Sequence, residues 1–403
     1  MPHYLTSTEA TALLGVSRAT LYAYVSRGLL SAHAADRPRE SRYLREEVER
    51  LARQRSQGRK PREVAQAALS WGLPVLASSI TLIENGRLYY RGQDAVQWAR
   101  SRTIEEVCAL LWQCTTQAAF APDADNTAPL LAQLQKAMAS LPPEEALLPL
   151  FTAASEDAPT AAWQQSPERL AAGCGALLRL MAACLLGTAP GNMPVHQQCA
   201  QAWQLDEQGA DLVRMALVLC ADHELNASGF TARCVASTGA SLRACVVAGL
   251  AALTGARHGG TTARVEALWD ELGDGLDPVR LRQRLARGES LPGFGHHLYP
   301  EADVRAALLL QALLPQHPAW EALVQEAMAL TGQSPSIDFA LVALRRHLGL
   351  RPGSAFGLFA LGRCAGWLAQ ALEQRETRQI IRPRAAYTGT RPDALGTASG
   401  AMR

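Results

Sequence analysis

From Thr103 to about residue 373 the chain repeats one pattern: apolar residues, mostly Ala and Leu, return at the spacing of a helix face and are punctuated by Gly, Pro or Asp. Thr103-Ile104-Glu105-Glu106 opens it as a capping box, and Val107, Leu110, Leu111 and Cys114 follow at i, i+3, i+4 and i+7. The same spacing predicts helices near 128–139, 166–186, 208–221, 228–253, 262–272, 303–313, 318–330, 338–347 and 355–373. Stripes of this kind bury helix on helix, so the expected fold class is all-α. One hairpin precedes them: Ser79–Ile83, the turn pair Asn85-Gly86, then Arg87–Tyr90.

A length of 403 residues suits two or three domains, and 48% hydrophobic against 19% charged residues excludes a disordered or fibrous chain. The longest nearly uninterrupted apolar stretch, residues 244–256, is too short to cross a bilayer, and the first residues carry neither a basic leader nor an apolar signal core. No membrane partner and a cytoplasmic location are expected. Nine cysteines without one C-x-x-C pair fit neither a disulfide framework nor a zinc site, so buried thiols and no metal are expected. No P-loop and no dinucleotide-binding glycine fingerprint follows a strand.

Charge separates the N-terminal segment from the rest. Residues 1–63 carry 12 Lys and Arg against 7 Asp and Glu, net +5, and the remainder is net −3. Within the segment, residues 8–14 form one helical face, Gly15-Val16 breaks it, and Ser17 can cap a second helix, Arg18 to Arg27, ended by Gly28. That spacing predicts a helix-turn-helix with Arg18, Thr20 and Tyr24 on its exposed side and Ala19, Leu21 and Val25 inward. The segment resembles the small winged-helix domains of the mercury-resistance-regulator and excisionase type. The resemblance makes Arg37–Arg45 the wing, with Arg42 and Arg45 near phosphates, and Glu46–Arg55 the following helix. DNA is then one expected partner, and a docking module that touches no DNA is the other reading. The polar run Arg55–Arg62, broken by Gly58 and Pro61, is the expected linker.

Four segments of the helical body join His, Asp or Arg to small neighbours: His223–Ser228, Gly255–Gly260, Pro292–His296 leading to Asp303-Val304-Arg305, and Pro335–Phe339. His258 stands before a glycine pair at a helix start, where the positive helix end keeps an imidazole neutral. It is a turn residue or a neutral donor to a developing oxyanion. Asp338 begins an apolar helix and is either an N-cap or a general base. His296 follows a loop whose glycines allow close backbone approach to a ligand. His3, His33, His196, His317 and His347 read as surface or structural residues.

Together with Leu76–Asp94 and Ile380–Gly389, these segments resemble the citrate synthase family, in its order and approximate spacing, over residues from about 70 to 390. The resemblance implies a homodimer and a helical fold of a large domain, residues 61–262 and 363–403, and a small domain, residues 263–362, behind a helix-turn-helix domain at 1–60. It implies an acyltransferase that condenses acetyl-CoA, a co-substrate and not a bound cofactor, with oxaloacetate, then hydrolyses citryl-CoA. Asp338 matches the base, His258 the donor to the enol or enolate, and His296 the group that polarises the oxaloacetate carbonyl. His223, Arg305, Arg363 and Arg382 match oxaloacetate ligands, Arg382 in the neighbouring subunit's site. Leu291, Gly293, Phe294 and Gly295 match the loop that receives the CoA adenine. Two alternatives stand beside this reading: a 2-methylcitrate synthase using propionyl-CoA, and a DNA-binding regulator that senses oxaloacetate, citrate or an acyl-CoA through the same body. The chain has Thr261-Thr262-Ala263 after the His-Gly-Gly where many relatives have Ala-Asn-Glu.

Overall fold

The computed structural model describes residues 4–26, 30–34, 41–45, 47–49, 51, 76–122, 129–273, 276–385 and 387–389. The chain divides into two compact units, Met1–Ala77 and Ser78–Arg403. The expected linker at 55–62, the end of the second helix at Arg27-Gly28 and the tip of the wing lie outside the described residues, as does most of the expected helix 46–55.

In the first unit β1 (Tyr4–Thr6) leads into α1 (Ser7–Leu14), then α2 (Arg18–Ser26), β2 (Ala32–Ala34) and β3 (Ser41–Leu44). The Thr6 hydroxyl accepts the Glu9 amide and the Glu9 carboxylate accepts the Thr6 amide, so the first helix starts on a full capping box. Gly15 ends it in the left-handed region, and Ser17 accepts the Thr20 amide as the cap of α2. The strands form an antiparallel sheet in the order β1-β3-β2, so the expected wing strand gains a partner from the N-terminus.

Leu5, Ala10, Leu14, Leu21 and Tyr43 belong to the core of this unit, and Tyr24 packs against it with Val16 and Val25. Tyr24 is therefore not on the exposed side as expected. It stands three residues after Leu21, on the same helical face, and Tyr22 is the exposed ring at 54%. Arg18 and Arg42 are exposed, and Thr20 is half-buried with its hydroxyl 3.0 Å from that of Ser17.

The second unit opens on the hairpin β4 (Thr81–Glu84) and β5 (Arg87–Tyr90), joined through Asn85 and Gly86 at φ 51 and 70, which the tight hairpin turn demands. A short β6 (Gln93–Asp94) adds a third strand. Helices follow: α3 (Ala95–Ala99), α4 (Ile104–Trp112), α5 (Thr116–Phe120), α6 (Pro129–Ala137), α7 (Pro143–Ala154), α8 (Pro167–Leu186), α9 (Val195–Trp203) and α10 (Glu207–Cys220). After the site-bearing turn come α11 (Ala227–Ser237), α12 (Leu242–Leu253), α13 (Thr261–Leu272), α14 (Pro278–Ala286), α15 (Val304–Leu313), α16 (Pro318–Thr331), α17 (Ile337–His347) and α18 (Ser354–Thr377). The all-α expectation holds, with one extended apolar core running from Ile80 to Ala371.

The single helix expected over 228–253 is two. Thr238, Gly239 and Ala240 separate them, and Ser241 caps α12 by accepting the Ala244 amide. The apolar spacing carries on across that break, which hides it from a periodicity reading. The helix Pro143–Ala154 was hidden by Pro149 within it.

Two helices, α8 and α18, are long and apolar enough by length and composition alone to cross a membrane. Arg179 and Arg363 interrupt them in sequence, yet both arginines are buried with carbonyl partners: Arg179 donates to Phe120 and Ala121, and Arg363 to Cys220. The apolar windows are 67% and 94% buried in the fold, so both serve as core helices. All nine cysteines are free thiols, seven of them buried.

Helix α18 packs on α4, α8, α10, α11 and α12. Its approach to the end of α10 is too close for side chains. A Cβ at Gly362 would lie 2.7 Å from the Leu217 carbonyl, and one at Gly366 would lie 2.4 Å from the Ala221 carbonyl. The glycine pair thereby brings Arg363 against the residues that leave α10, which begin the site.

Candidate active site

The end of α10 delivers Asp222 and His223. Asp222 is buried and accepts from Thr81 of the hairpin at 2.6 Å and from Gln370 of α18 at 3.2 Å, so three elements fix the turn that carries His223. Burial holds the His223 ring well below its usual pKa, and the nearby Arg305 and Arg363 charges add to the effect. The ring is neutral, and its Nε2 lies 3.1 Å from the Tyr299 hydroxyl.

His258 sits in the turn before α13. Its Nε2 is 2.7 Å from the Ser228 hydroxyl, and its ring meets Phe359 edge-on at 6.0 Å. Phe359 also carries the Arg363 guanidinium over its face at 4.8 Å, so one aromatic ring spaces the two groups. Burial first, and the Arg363 charge second, lower the His258 pKa to about 4. The expected neutral imidazole is present, although desolvation is the main cause.

His296 accepts the Leu298 amide at Nδ1, 3.2 Å, which places the proton of the neutral ring on Nε2. Burial and then Arg305 lower its pKa to about 4. The His223 and His296 rings meet at 5.0 Å, and Tyr299 touches both, 5.6 and 5.1 Å between centroids.

Asp303 caps α15 and binds Arg305 by both oxygens: Oδ1 accepts Nε at 2.9 Å and Oδ2 accepts Nη2 at 2.8 Å. Burial opposes the charge on Asp303, but the guanidinium holds its carboxyl below the usual range. The inner edge of Arg305 is therefore engaged, and its outer Nη1–Nη2 end makes no further hydrogen bond among the described residues. Asp303 Oδ2 also accepts the Ile337 amide at 3.0 Å, which ties the start of α17 to the start of α15.

Asp338 follows in the first turn of α17 and is not its N-cap, a position held by Ser336. The side chain is half-buried; Oδ2 accepts from Ser336 at 3.3 Å, and the buried Oδ1 has no partner among the described residues. Burial, opposed by the Arg305 charge, pushes its pKa up to about 6. Arg363 shows the same incompleteness: Nε donates to the Cys220 carbonyl at 2.7 Å, while the buried Nη2 has no partner among the described residues. A buried carboxyl oxygen and a buried guanidinium nitrogen left open each cost stability, and sites that bind a polar ligand tolerate that cost.

Leu291 and Phe294 are buried, the Gly293 carbonyl accepts the Ser336 amide and the Gly295 amide donates to the Ser334 carbonyl. The loop thus steadies the segment that bears Asp338. Arg382 lies beyond α18, is exposed and makes no ion pair among the described residues; the Ile381 amide anchors its segment to Ser237. The fold brings together His223, His258, His296, Arg305, Asp338 and Arg363, and leaves Arg382 outside. Ser228, Tyr299, Asp303 and Phe359 complete the cluster. Ser228 and Asp303 stood inside quoted motifs, and only their contacts were invisible. No group of three His, Cys, Asp or Glu side chains suited to a metal occurs among the described residues.

The citrate synthase C-terminal domain model matches residues 68–384. The chain belongs to the citrate synthase family. A helix-turn-helix domain model matches residues 4–56. Citrate synthase 2 of Bacillus subtilis is 28% identical over 357 residues, 79% of this chain and 94% of that protein. The citrate synthase of Haloferax volcanii is 36% identical over 191 residues, 45% of this chain, and a 2-methylcitrate synthase of Mycobacterium tuberculosis is 33% identical over 184 residues, 43% of this chain. These two alignments span about half of each relative's length, 50% and 47%. Among solved structures, citrate synthase from Thermotoga maritima superposes with a TM-score of 0.67 at 24% identity, covering 79% of this chain and 94% of that one. The Thermoplasma acidophilum citrate synthase, a ternary complex with carboxymethyl coenzyme A and oxaloacetate, gives 0.64 at 22%, covering 79% and 95%. These likenesses establish the family and the fold.

Proposed function

We propose that the second unit condenses the acyl carbon next to the thioester of acetyl-CoA with the keto carbon of oxaloacetate, and then hydrolyses the thioester to give citrate and CoA. The observation that carries the reading is the pair of open, buried atoms, Asp338 Oδ1 and Arg363 Nη2, beside three neutral histidines.

A thioester methyl is a very weak acid, so a carboxylate removes its proton only if the forming oxyanion is stabilised at the same moment. Asp338, with its pKa near 6, is a stronger base than an ordinary carboxylate and is still ionised at neutral pH. His258 donates from Nδ1 to the enolate oxygen when its Nε2 accepts from Ser228. The carbon then attacks the oxaloacetate carbonyl, the new alkoxide takes the Nε2 proton of His296 that polarised it, and the proton held by Asp338 passes to solvent as His296 regains one. Water cleaves the resulting thioester, releasing CoA as a thiol. The carboxylates of oxaloacetate are assigned to Arg363 and the outer end of Arg305, with His223 as a further donor.

The dimer, the division of the body into a large domain and a small domain at 263–362, and the reach of Arg382 into a neighbouring subunit belong to the same proposal. So does CoA binding along Leu291–Gly295, through groups other than the engaged Gly293 carbonyl and Gly295 amide. Propionyl-CoA is the alternative donor, since one methylene in an apolar pocket is worth only about 1–3 kcal/mol.

The test is thiol release from each acyl-CoA with oxaloacetate, compared as kcat/KM. Release establishes condensation and ranks the donors. No release, with oxaloacetate still raising thermal stability, favours the second reading, a DNA-binding regulator whose body is a sensor. That reading is favoured by the basic N-terminal segment with Arg18 and Arg42 exposed within the helix-turn-helix match. Its own test is a gel shift across salt concentrations, where equal binding to all sequences rejects specific recognition.

A further inference from the structure

The ring of Tyr299 joins three of the residues assigned to oxaloacetate. Its hydroxyl lies 3.1 Å from His223 Nε2, its face carries the Arg305 guanidinium at 5.4 Å, and its ring centroid is 5.1 Å from that of His296. The ring is 3% exposed. It follows His296 by three residues, and the Tyr299 amide donates to the His296 carbonyl at 3.1 Å, so a single turn of chain sets both side chains.

A buried hydroxyl must place its proton, whereas its oxygen has no equal need to accept. The contact with His223 Nε2 is the one hydrogen bond of the Tyr299 hydroxyl among the described residues. The phenol proton therefore goes to Nε2. A neutral imidazole that accepts at Nε2 carries its own proton on Nδ1.

We propose that Tyr299 is a positioning residue that fixes His223 in its Nδ1-protonated form, so that His223 donates to a dicarboxylate substrate while the tyrosine ring holds Arg305 in place. The proposal rests on the assignment of this site to oxaloacetate. Asp303 grips one edge of Arg305 and Tyr299 covers its face, which leaves the outer end of the guanidinium as its free direction.

The experiment compares the full chain with Tyr299→Phe and Tyr299→Leu in three readouts: the dissociation constant for oxaloacetate by calorimetry, the split of KM against kcat, and the nitrogen-15 spectrum of the histidines. Tyr299→Phe should raise the oxaloacetate constant roughly tenfold, the size of one lost hydrogen bond, with the KM for acyl-CoA and the melting temperature little changed. Tyr299→Leu, which also uncovers Arg305, should raise it further. In the unmodified protein His223 should be neutral with its proton on Nδ1, and the phenylalanine variant should lose that preference. An Nε2-protonated His223 in the unmodified protein, or unchanged oxaloacetate affinity in Tyr299→Phe, overturns the proposal. If the unmodified protein fails to bind oxaloacetate, the substrate assignment fails instead, and the spectrum of the free protein still decides the tautomer.

Discussion

The Ser228 hydroxyl lies 2.7 Å from His258 Nε2 and 2.8 Å from Asn226 Oδ1. Asn226 Oδ1 accepts the Gly229 amide at 3.0 Å as the cap of α11 and, having a second lone pair, also accepts the serine proton. The serine oxygen then accepts from His258 Nε2, and only when the hydroxyl proton turns to Nε2 does the ring proton move to Nδ1, the form in which His258 donates. One serine in the first turn of α11 thus sets the state of a histidine thirty residues away.

Ser228→Ala removes that control. The expected result is a fall in kcat of roughly a hundredfold, the low end of what a general acid–base group contributes, since Ser228 acts only through His258, with the KM for oxaloacetate unchanged. Steady-state kinetics with each substrate varied in turn checks this. A variant with full kcat shows that Ser228 only packs.

Asp338→Asn keeps the shape of the side chain and removes the base. Oxaloacetate should bind as before while kcat falls at least about a thousandfold. In the unmodified enzyme the base works only when ionised, so the rate should fall as pH drops through about 6, with the slope of one proton. A profile flat from pH 7 to 5, or an active asparagine variant, removes Asp338 from that role.

The local parts of this fold were legible because local chemistry decides them. Asn85-Gly86 can hardly be anything but a tight turn, and Thr103 with Glu106 reads as a helix start and is one. The break between α11 and α12 was not legible, since apolar spacing runs across Gly239. Tyr24 stands three residues after Leu21 and so shares its inward face, which the expected exposed side overlooked. Histidines, arginines and Asp338 stood out by residue type and neighbours, but their states are tertiary facts. The Asp303 grip on Arg305 and the open atoms of Asp338 and Arg363 depend on segments far apart in the chain. No spacing rule reports those.

Arg363→Lys keeps a charge at the centre of α18 but loses the planar fork. The Cys220 carbonyl occupies one donor of the arginine, and a single ammonium cannot serve that carbonyl and a substrate carboxylate in the same geometry. The oxaloacetate KM should rise roughly a hundredfold, with the KM for acyl-CoA little affected. An unchanged oxaloacetate KM assigns Arg363 to the core alone.

Neutral, buried histidines also make the stability of the body depend on pH in a definite direction. The His258 pKa is near 4 when folded against about 6.5 for a free imidazole, so between those values the unfolded chain binds the extra proton and the folded state loses ground as pH falls. Asp338 works the other way: its folded pKa is raised, so its contribution is greatest in acid and is lost as pH rises through about 6. His258→Asn should therefore flatten the acid loss, retaining about 2 kcal/mol relative to the unmodified protein on going from pH 7 to 5. Asp338→Asn should steepen the loss, because it removes the one opposing group of the pair. Melting temperatures of both variants across that range check the two signs together. If the two curves shift in parallel with the unmodified protein, neither group titrates with the folded-state pKa that its burial implies.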